Sequence, residues 1–270
     1  MLVIIGTVHQ DGESLSQVRR VIEQFQPDFV MLELCQGRVR ALNDVSSEFH
    51  AAKVAADSVP GCRVILGDRP IGVYLARLRN EGWNESSEAS FTTTDIEICL
   101  RKCSEDPAYE TRYVKISSEV RRLEAEQTKL DDASFVKRHI QVIKEYNSFH
   151  PISTNIMVTE GSAFMSKVLQ ELSKIEQPGK AERTSEPPVI VAVVGLYHRD
   201  EVLEILETDS VPDDVQNLLT LPTGRGREAL TTGELWEYLQ LELERERITA
   251  ILLNNCNLEV SDLWVEKRAD

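Results

Sequence analysis

Leu2-Val3-Ile4-Ile5-Gly6-Thr7-Val8-His9 is an apolar, β-branched run that stops at a glycine and then presents a histidine. The pattern returns far downstream as Val189-Ile190-Val191-Ala192-Val193-Val194-Gly195-Leu196-Tyr197-His198. Each reads as a buried strand followed by Gly-x-x-His. Unbroken apolar runs of this length suit strands covered on both faces, as in a parallel sheet. Ligands of open parallel sheets collect beyond the carboxyl ends of the strands, and both histidines fall at such ends. A glycine there lets the backbone turn tightly or approach a ligand closely. His9 and His198 are therefore expected to meet at one site.

Working outward from the first strand, Ser14-Leu15-Ser16-Gln17 fits a capping box. Leu15, Val18, Val21, Ile22 and Phe25 then recur at helical spacing, and Pro27 ends the helix. Phe29-Val30-Met31-Leu32-Glu33-Leu34 is the next strand, which completes a β-α-β unit. Glu33 closes an otherwise apolar strand, where a carboxylate is costly unless it is paired or bound to a cation. An ion pair with Arg38 is the plain explanation; a site carboxylate is the sharper one. Residues 38–57 read as one helix lined by Val39, Leu42, Val45, Phe49 and Val54. Arg63-Val64-Ile65-Leu66 is the third strand, ended by Gly67-Asp68-Arg69-Pro70, and Pro70 starts a helix over Ile71 to Leu78. Three strands in a row thus end in His9, Glu33 and Asp68, which points to a shared cleft.

From about residue 80 the character changes. Residues 95–149 are rich in Glu, Lys and Arg with apolar residues at helical spacing, including helices around Ile116–Leu130 and Phe135–Tyr146. The charge run from Glu119 to Lys129 reads as a solvated face. Thr159-Glu160 opens a helix whose apolar face holds Phe164, Met165, Val168, Leu169 and Leu172. Glu176 to Pro188 is a connector, and Ile248-Thr249-Ala250-Ile251-Leu252-Leu253 is the last strand. The fold expected is a single α/β domain with a mainly parallel sheet from two β-α-β-like halves. Its core spans 1–78 and 157–270, and a helical insertion or lid occupies about 80–156.

Of the 270 residues 41% are hydrophobic, enough for a sizeable core, and the formal net charge is -15. That charge argues against nucleic acid, whose phosphates want a basic face. No stretch approaches the roughly 20 apolar residues of a membrane-spanning helix. Met1 leads into a strand without a basic leader, and Cys35, Cys62, Cys99, Cys103 and Cys256 include no Cys-x-x-Cys. A cytoplasmic protein with reduced thiols is expected. Gly224-Arg225-Gly226-Arg227 lacks a phosphate-loop pattern, and neither Gly-x-Gly-x-x-Gly nor His-Glu-x-x-His occurs. No Gly-x-Ser-x-Gly elbow is present either.

Gly6-Thr7-Val8-His9, Pro27-Asp28 leading into Leu32-Glu33-Leu34-Cys35 with Arg38, Gly67-Asp68-Arg69-Pro70-Ile71, and Gly195-Leu196-Tyr197-His198 stand in the order seen in the TraB/PrgY family. That family is related to the Tiki proteases and erythromycin esterases, and the resemblance covers about residues 1–78 and 157–206. It implies an α/β core with paired Gly-x-x-His motifs and divalent-metal-dependent cleavage of peptides, or interference with peptide pheromones. Carried over, Glu33, Arg38 and His9 are catalytic; His9, His198 and Glu33 hold the metal; Asp68, Arg69 and Glu160 touch substrate. The family more usually shows Glu-Arg-Asp where this chain has Glu160-Gly161-Ser162. Many members carry carboxyl-terminal membrane spans, and none is expected here.

Three functions follow. In a metal-dependent hydrolase, imidazoles and a carboxylate bind Mn, Co or Zn, which polarises a carbonyl. Arg38 then meets developing negative charge or grips a substrate carboxylate. In a metal-free esterase or amidase, His9 is the general base, oriented by Glu33. In a non-catalytic module, the acidic cleft captures a basic peptide or a cation. The expected partner is a peptide or small-molecule substrate, in an oligomer.

Overall fold

The computed structural model describes residues 1–7, 12–83, 91–125, 133–175, 187–212 and 215–219. His9, Cys256, the Gly224–Arg227 turn and the expected strand Ile248–Leu253 lie outside them. The described residues divide into two compact units. The first takes in Met1–Val73 and Glu160–Thr220, the second Tyr74–Thr159.

The first unit is α/β. Strands β1 (Leu2–Thr7), β2 (Phe29–Leu32), β3 (Arg63–Leu66) and β4 (Ile190–Gly195) form an all-parallel sheet in the order β1-β4-β2-β3. Side chains alternate along a strand, so each apolar run feeds two cores. Phe29 and Met31 of β2 and Ile190, Ala192 and Val194 of β4 pack with Phe164, Met165, Val168, Leu169 and Leu172 of α8 (Glu160–Leu172) and Val202 of α9 (Leu196–Glu207). Val30, Leu32, Val191 and Val193 face the other way. They pack with Val18 and Ile22 of α1 (Gly12–Phe25) and with Phe49, Ala52 and Ala55 of α2 (Glu48–Asp57). This is a sheet between two helical layers. β4 lies between β1 and β2, so the β1-α1-β2 crossover skips one strand position.

The helix expected over 38–57 is broken. A 3-10 segment spans Gln36–Asn43, and α2 starts only at Glu48. The Asp44 carboxylate accepts from the Ser46 amide at 3.0 Å and its hydroxyl at 2.6 Å, a local bond that competes with helical pairing. Ser47 then caps α2 by accepting from the Phe49 amide. Val45 and Val54, expected to line the helix, are exposed at 72% and 47%.

The second unit is helical. It holds most of α3 (Ile71–Asn80), then α4 (Thr93–Glu105), α5 (Pro107–Ala125), α6 (Ala133–Asn147) and α7 (Pro151–Thr154). Its core joins Ile116, Val120 and Leu123 to Phe135, Val142 and Phe149. Buried Asp95 accepts from the Ile152 and Ser153 amides, both at 2.8 Å, and from the Thr92 hydroxyl at 3.0 Å. The His150 ring stacks on Phe91 at 3.5 Å, and its burial disfavours the charged form. A π-helical turn, Asn155–Thr159, follows α7. Cys35, Cys62, Cys99 and Cys103 are free thiols. Burial pushes Cys62 up to about 12. Burial and neighbouring Cys103 push Cys99 up to about 11, which keeps both thiols protonated at neutral pH.

Phe164 is 1% exposed between α8 and the sheet, so Phe164→Ala is expected to cost about 3–5 kcal/mol. Val45→Ala, at an exposed turn, is expected to stay within about 0.5 kcal/mol. Urea unfolding of the two variants checks the contrast, and equal losses would contradict the core assignment.

Candidate functional site

Parallel register brings the strand ends level. Leu32 pairs with Leu66 on one side and Val193 on the other. The ladder runs on past the strands: the Glu33 amide donates to Val193 O at 3.0 Å, Gly67 to Leu32 O at 2.8 Å, and Asp68 to Leu34 O at 3.1 Å. Glu33, Asp68 and Gly195 are thereby fixed side by side at the carboxyl edge.

Glu33 is 7% exposed. Its Oε2 accepts the Gly195 amide proton, and its Oε1 lies 3.5 Å from His198 Nε2. Gly195 precedes the first turn of α9, so the carboxylate sits where a helix amino end favours negative charge. The Gly195 φ is -58°, a value any residue adopts, so what this glycine gives is space. A Cβ there would stand 3.2 Å from Glu33 Oε2. Gly6 plays the matching part in the first motif, because a Cβ would come within 2.9 Å of Arg199 Cδ and 3.0 Å of Leu196 Cδ1 on α9.

His198 lies in the first turn of α9. Its Nδ1 is 2.9 Å from the Ser162 hydroxyl, which donates to Glu201 Oε2 at 3.0 Å. The ring also rests on the backbone of α8. A Cβ on Gly161 would fall 3.2 Å from His198 Cε1 and 3.7 Å from Asp68 Oδ1.

Arg38 comes from the 3-10 segment. Its Nη2 donates to the Glu33 backbone carbonyl at 3.1 Å and to the Asp68 carboxylate. Its ion-pair partner is thus Asp68 and not the Glu33 carboxylate. Burial works against the Arg38 charge, but Asp68, Cys35 and Glu33 outweigh it and hold the guanidinium above its usual range. Its side chain is 34% exposed, and its Nε finds no partner among the described residues. Arg69 and Glu160 pair with each other, with side chains 2% and 7% exposed. At the end of β1 the Thr7 hydroxyl lies 3.2 Å from both the buried Glu48 carboxylate and Val194 O.

Glu33, Arg38, Asp68 and His198 are therefore brought together. Arg69 and Glu160 lie beside them, turned to one another, and His9 is outside the described residues. Among the described residues no group of three His, Cys, Asp or Glu side chains is arranged to hold a metal. Ser162, Glu201 and Glu48 join the polar network without having been singled out in the sequence. Glu201 carried one signal: it follows His198 by three residues on a helix, a spacing at which side chains meet. Ser162 stood out only as a departure from the family pattern.

The fold and site define an α/β protein with an acid–imidazole cluster at the ends of parallel strands. A bovine TraB domain-containing protein is 22% identical over 98% of this chain and 80% of its own length. Mouse and human TraB domain-containing proteins are each 22% identical over 81% of this chain, which spans 65% of their length. No family profile and no solved structure matches the chain. The chain is thus similar to TraB domain-containing proteins over most of its length. Among the described residues no helix is long and apolar enough to cross a membrane.

Removing one partner of a buried ion pair strands the other charge. Arg69→Ala is accordingly expected to lose about 3–5 kcal/mol of stability. The double change Arg69→Met with Glu160→Leu is expected to recover most of that loss, since neither charge is then left unpaired. Denaturant titration of both proteins measures the difference, and a single variant as stable as the parent would contradict the pairing.

Proposed function

We propose that this protein is a hydrolase acting on peptides, with Glu33 and His198 as its working pair and Arg38 as its anion-stabilising group. The observation that supports this is the approach of Glu33 Oε1 to His198 Nε2 at 3.5 Å beside the partly exposed Arg38. An imidazole nitrogen and a carboxylate oxygen that face each other are a donor set suited to Mn, Co or Zn. His198 and Glu33, with His9 as the third residue, would hold such an ion. When bound it would polarise the scissile carbonyl.

The rest falls to the chain's own side chains. Where Glu33 acts instead as the general base, the Gly195 amide holds it through Oε2, which leaves Oε1 to accept a proton from the attacking water. Arg38, whose side chain is 34% exposed, offers its guanidinium to the oxygen that gains negative charge. Asp68 fixes the guanidinium meanwhile. The proton held at Glu33 Oε1 then passes to the departing amine.

The parent, Glu33→Gln and His198→Ala are to be compared on a panel of peptides and esters, with and without a chelator. Both variants are expected to lose about 100-fold or more in kcat/KM, the scale of a lost general acid–base group. Chelation is expected to abolish turnover, and added Mn, Co or Zn to restore it. Turnover indifferent to the chelator would replace the metal reading with a metal-free amidase or esterase. A parent without turnover on any substrate would leave a binding module.

A further inference from the structure

We propose that Ser162 is a positioning residue which, with Glu201, fixes the proton of His198 on Nδ1 and presents the bare Nε2 lone pair to Glu33. The catalytic consequence of this rests on the reading of Glu33 and His198 as the working pair.

The geometry orders the protons one at a time. An ionised carboxylate only accepts hydrogen bonds, so the 3.0 Å contact with Glu201 Oε2 takes the Ser162 hydroxyl proton. A hydroxyl has one proton. Ser162 Oγ must then accept in its 2.9 Å contact with His198 Nδ1, and Nδ1 carries the hydrogen. In a neutral ring Nε2 is left as an acceptor, 3.5 Å from another acceptor, Glu33 Oε1. Two lone pairs facing each other in a largely buried place are stabilised only by a positive group between or upon them. That group is a proton or a divalent cation. An imidazole whose other nitrogen donates into the protein is the usual state of a metal-ligating histidine.

Access decides against a different role for the serine. A hydroxyl beside an imidazole also describes a nucleophile and its base. Ser162, however, is fully buried, and its proton already belongs to Glu201. Gly161 leaves room for the ring beside α8, where a Cβ would stand 3.2 Å from Cε1. The departure from the family pattern at residues 161 and 162 thus falls on the two positions that hold the imidazole.

Ring-nitrogen correlation spectra of protein labelled with nitrogen-enriched histidine read the tautomer directly, with His198→Gln identifying the signal. In the apo parent His198 is expected to be protonated at Nδ1. Ser162→Ala removes the acceptor, and Glu201→Gln supplies an amide that can donate to Ser162 and reverse the chain. Both are expected to move the proton toward Nε2 and to weaken zinc binding, measured by calorimetry, about 10- to 100-fold. Ser162→Thr keeps the hydroxyl and is expected to restore both readings. A parent ring protonated at Nε2, or a tautomer unmoved in a folded Ser162→Ala protein, would overturn the inference. If the tautomer behaves as stated and the parent hydrolyses nothing, Ser162 keeps its role and only the hydrolase reading fails.

Discussion

A carboxylate shut into the edge of a sheet has to be met by something, and the Gly195 amide meets Glu33. The two residues are 162 positions apart. They are neighbours because β4 enters the sheet beside β2 and continues it in register. A buried charge without a partner costs several kcal/mol, so Glu33 is tolerable only once β4 and α9 are in place. The strand that completes the sheet also brings the acid its imidazole. Core and site are thus one requirement: a sequence that kept the apolar runs but moved Gly195 would strand the acid.

Arg38 of Gln36–Asn43 and Arg69 of Gly67–Pro70 show how burial separates two ion pairs. Arg69 and Glu160 are closed off from solvent on both sides. Arg38 and Asp68 differ, because the guanidinium is a third exposed. A charge-assisted bond to an incoming oxygen adds to what Asp68 already supplies without breaking it. Arginines from two neighbouring strand ends therefore differ in accessibility, a distinction that residue type does not make.

Much of the architecture was readable from hydrophobic pattern. The runs at Leu2–Thr7, Phe29–Leu32, Arg63–Leu66 and Ile190–Gly195 announce strands, and all four form; the central β2 and β4 are buried along their whole length, while the edge strands β1 and β3 are buried only in part. Their order was not readable, since an apolar run says how deeply a strand is buried and not which strand lies next to it. The break at Asp44 was missed because Val39, Leu42, Val45 and Phe49 keep helical spacing across it. Turn-forming Asp44-Val45-Ser46 overrides that pattern through side-chain bonds to the backbone. At the site, Glu33 and Asp68 were conspicuous as acids in apolar surroundings. Ser162 and Glu201 were not, because a serine and a glutamate on a helix are ordinary until a partner from another element is known. The glycines of the Gly-x-x-His motifs were read as places for a tight turn or a close approach. The close approach is what Gly6 and Gly195 show, since a Cβ would crowd α9 at 2.9 Å and the Glu33 carboxylate at 3.2 Å.

Sites of chemistry are where local rules of stability are broken and compensated elsewhere. Here the broken rule is specific: two acceptors, Glu33 Oε1 and His198 Nε2, are aimed at each other. Everything around them prevents the obvious relief. The Gly195 amide holds one side of the carboxylate, and Ser162 with Glu201 claims the proton of a neutral ring. An arrangement that needed stability alone would turn the imidazole over and make a good hydrogen bond. One that withholds that bond is poised for a cation or a proton to arrive, and the energy lost in its absence becomes affinity when it comes.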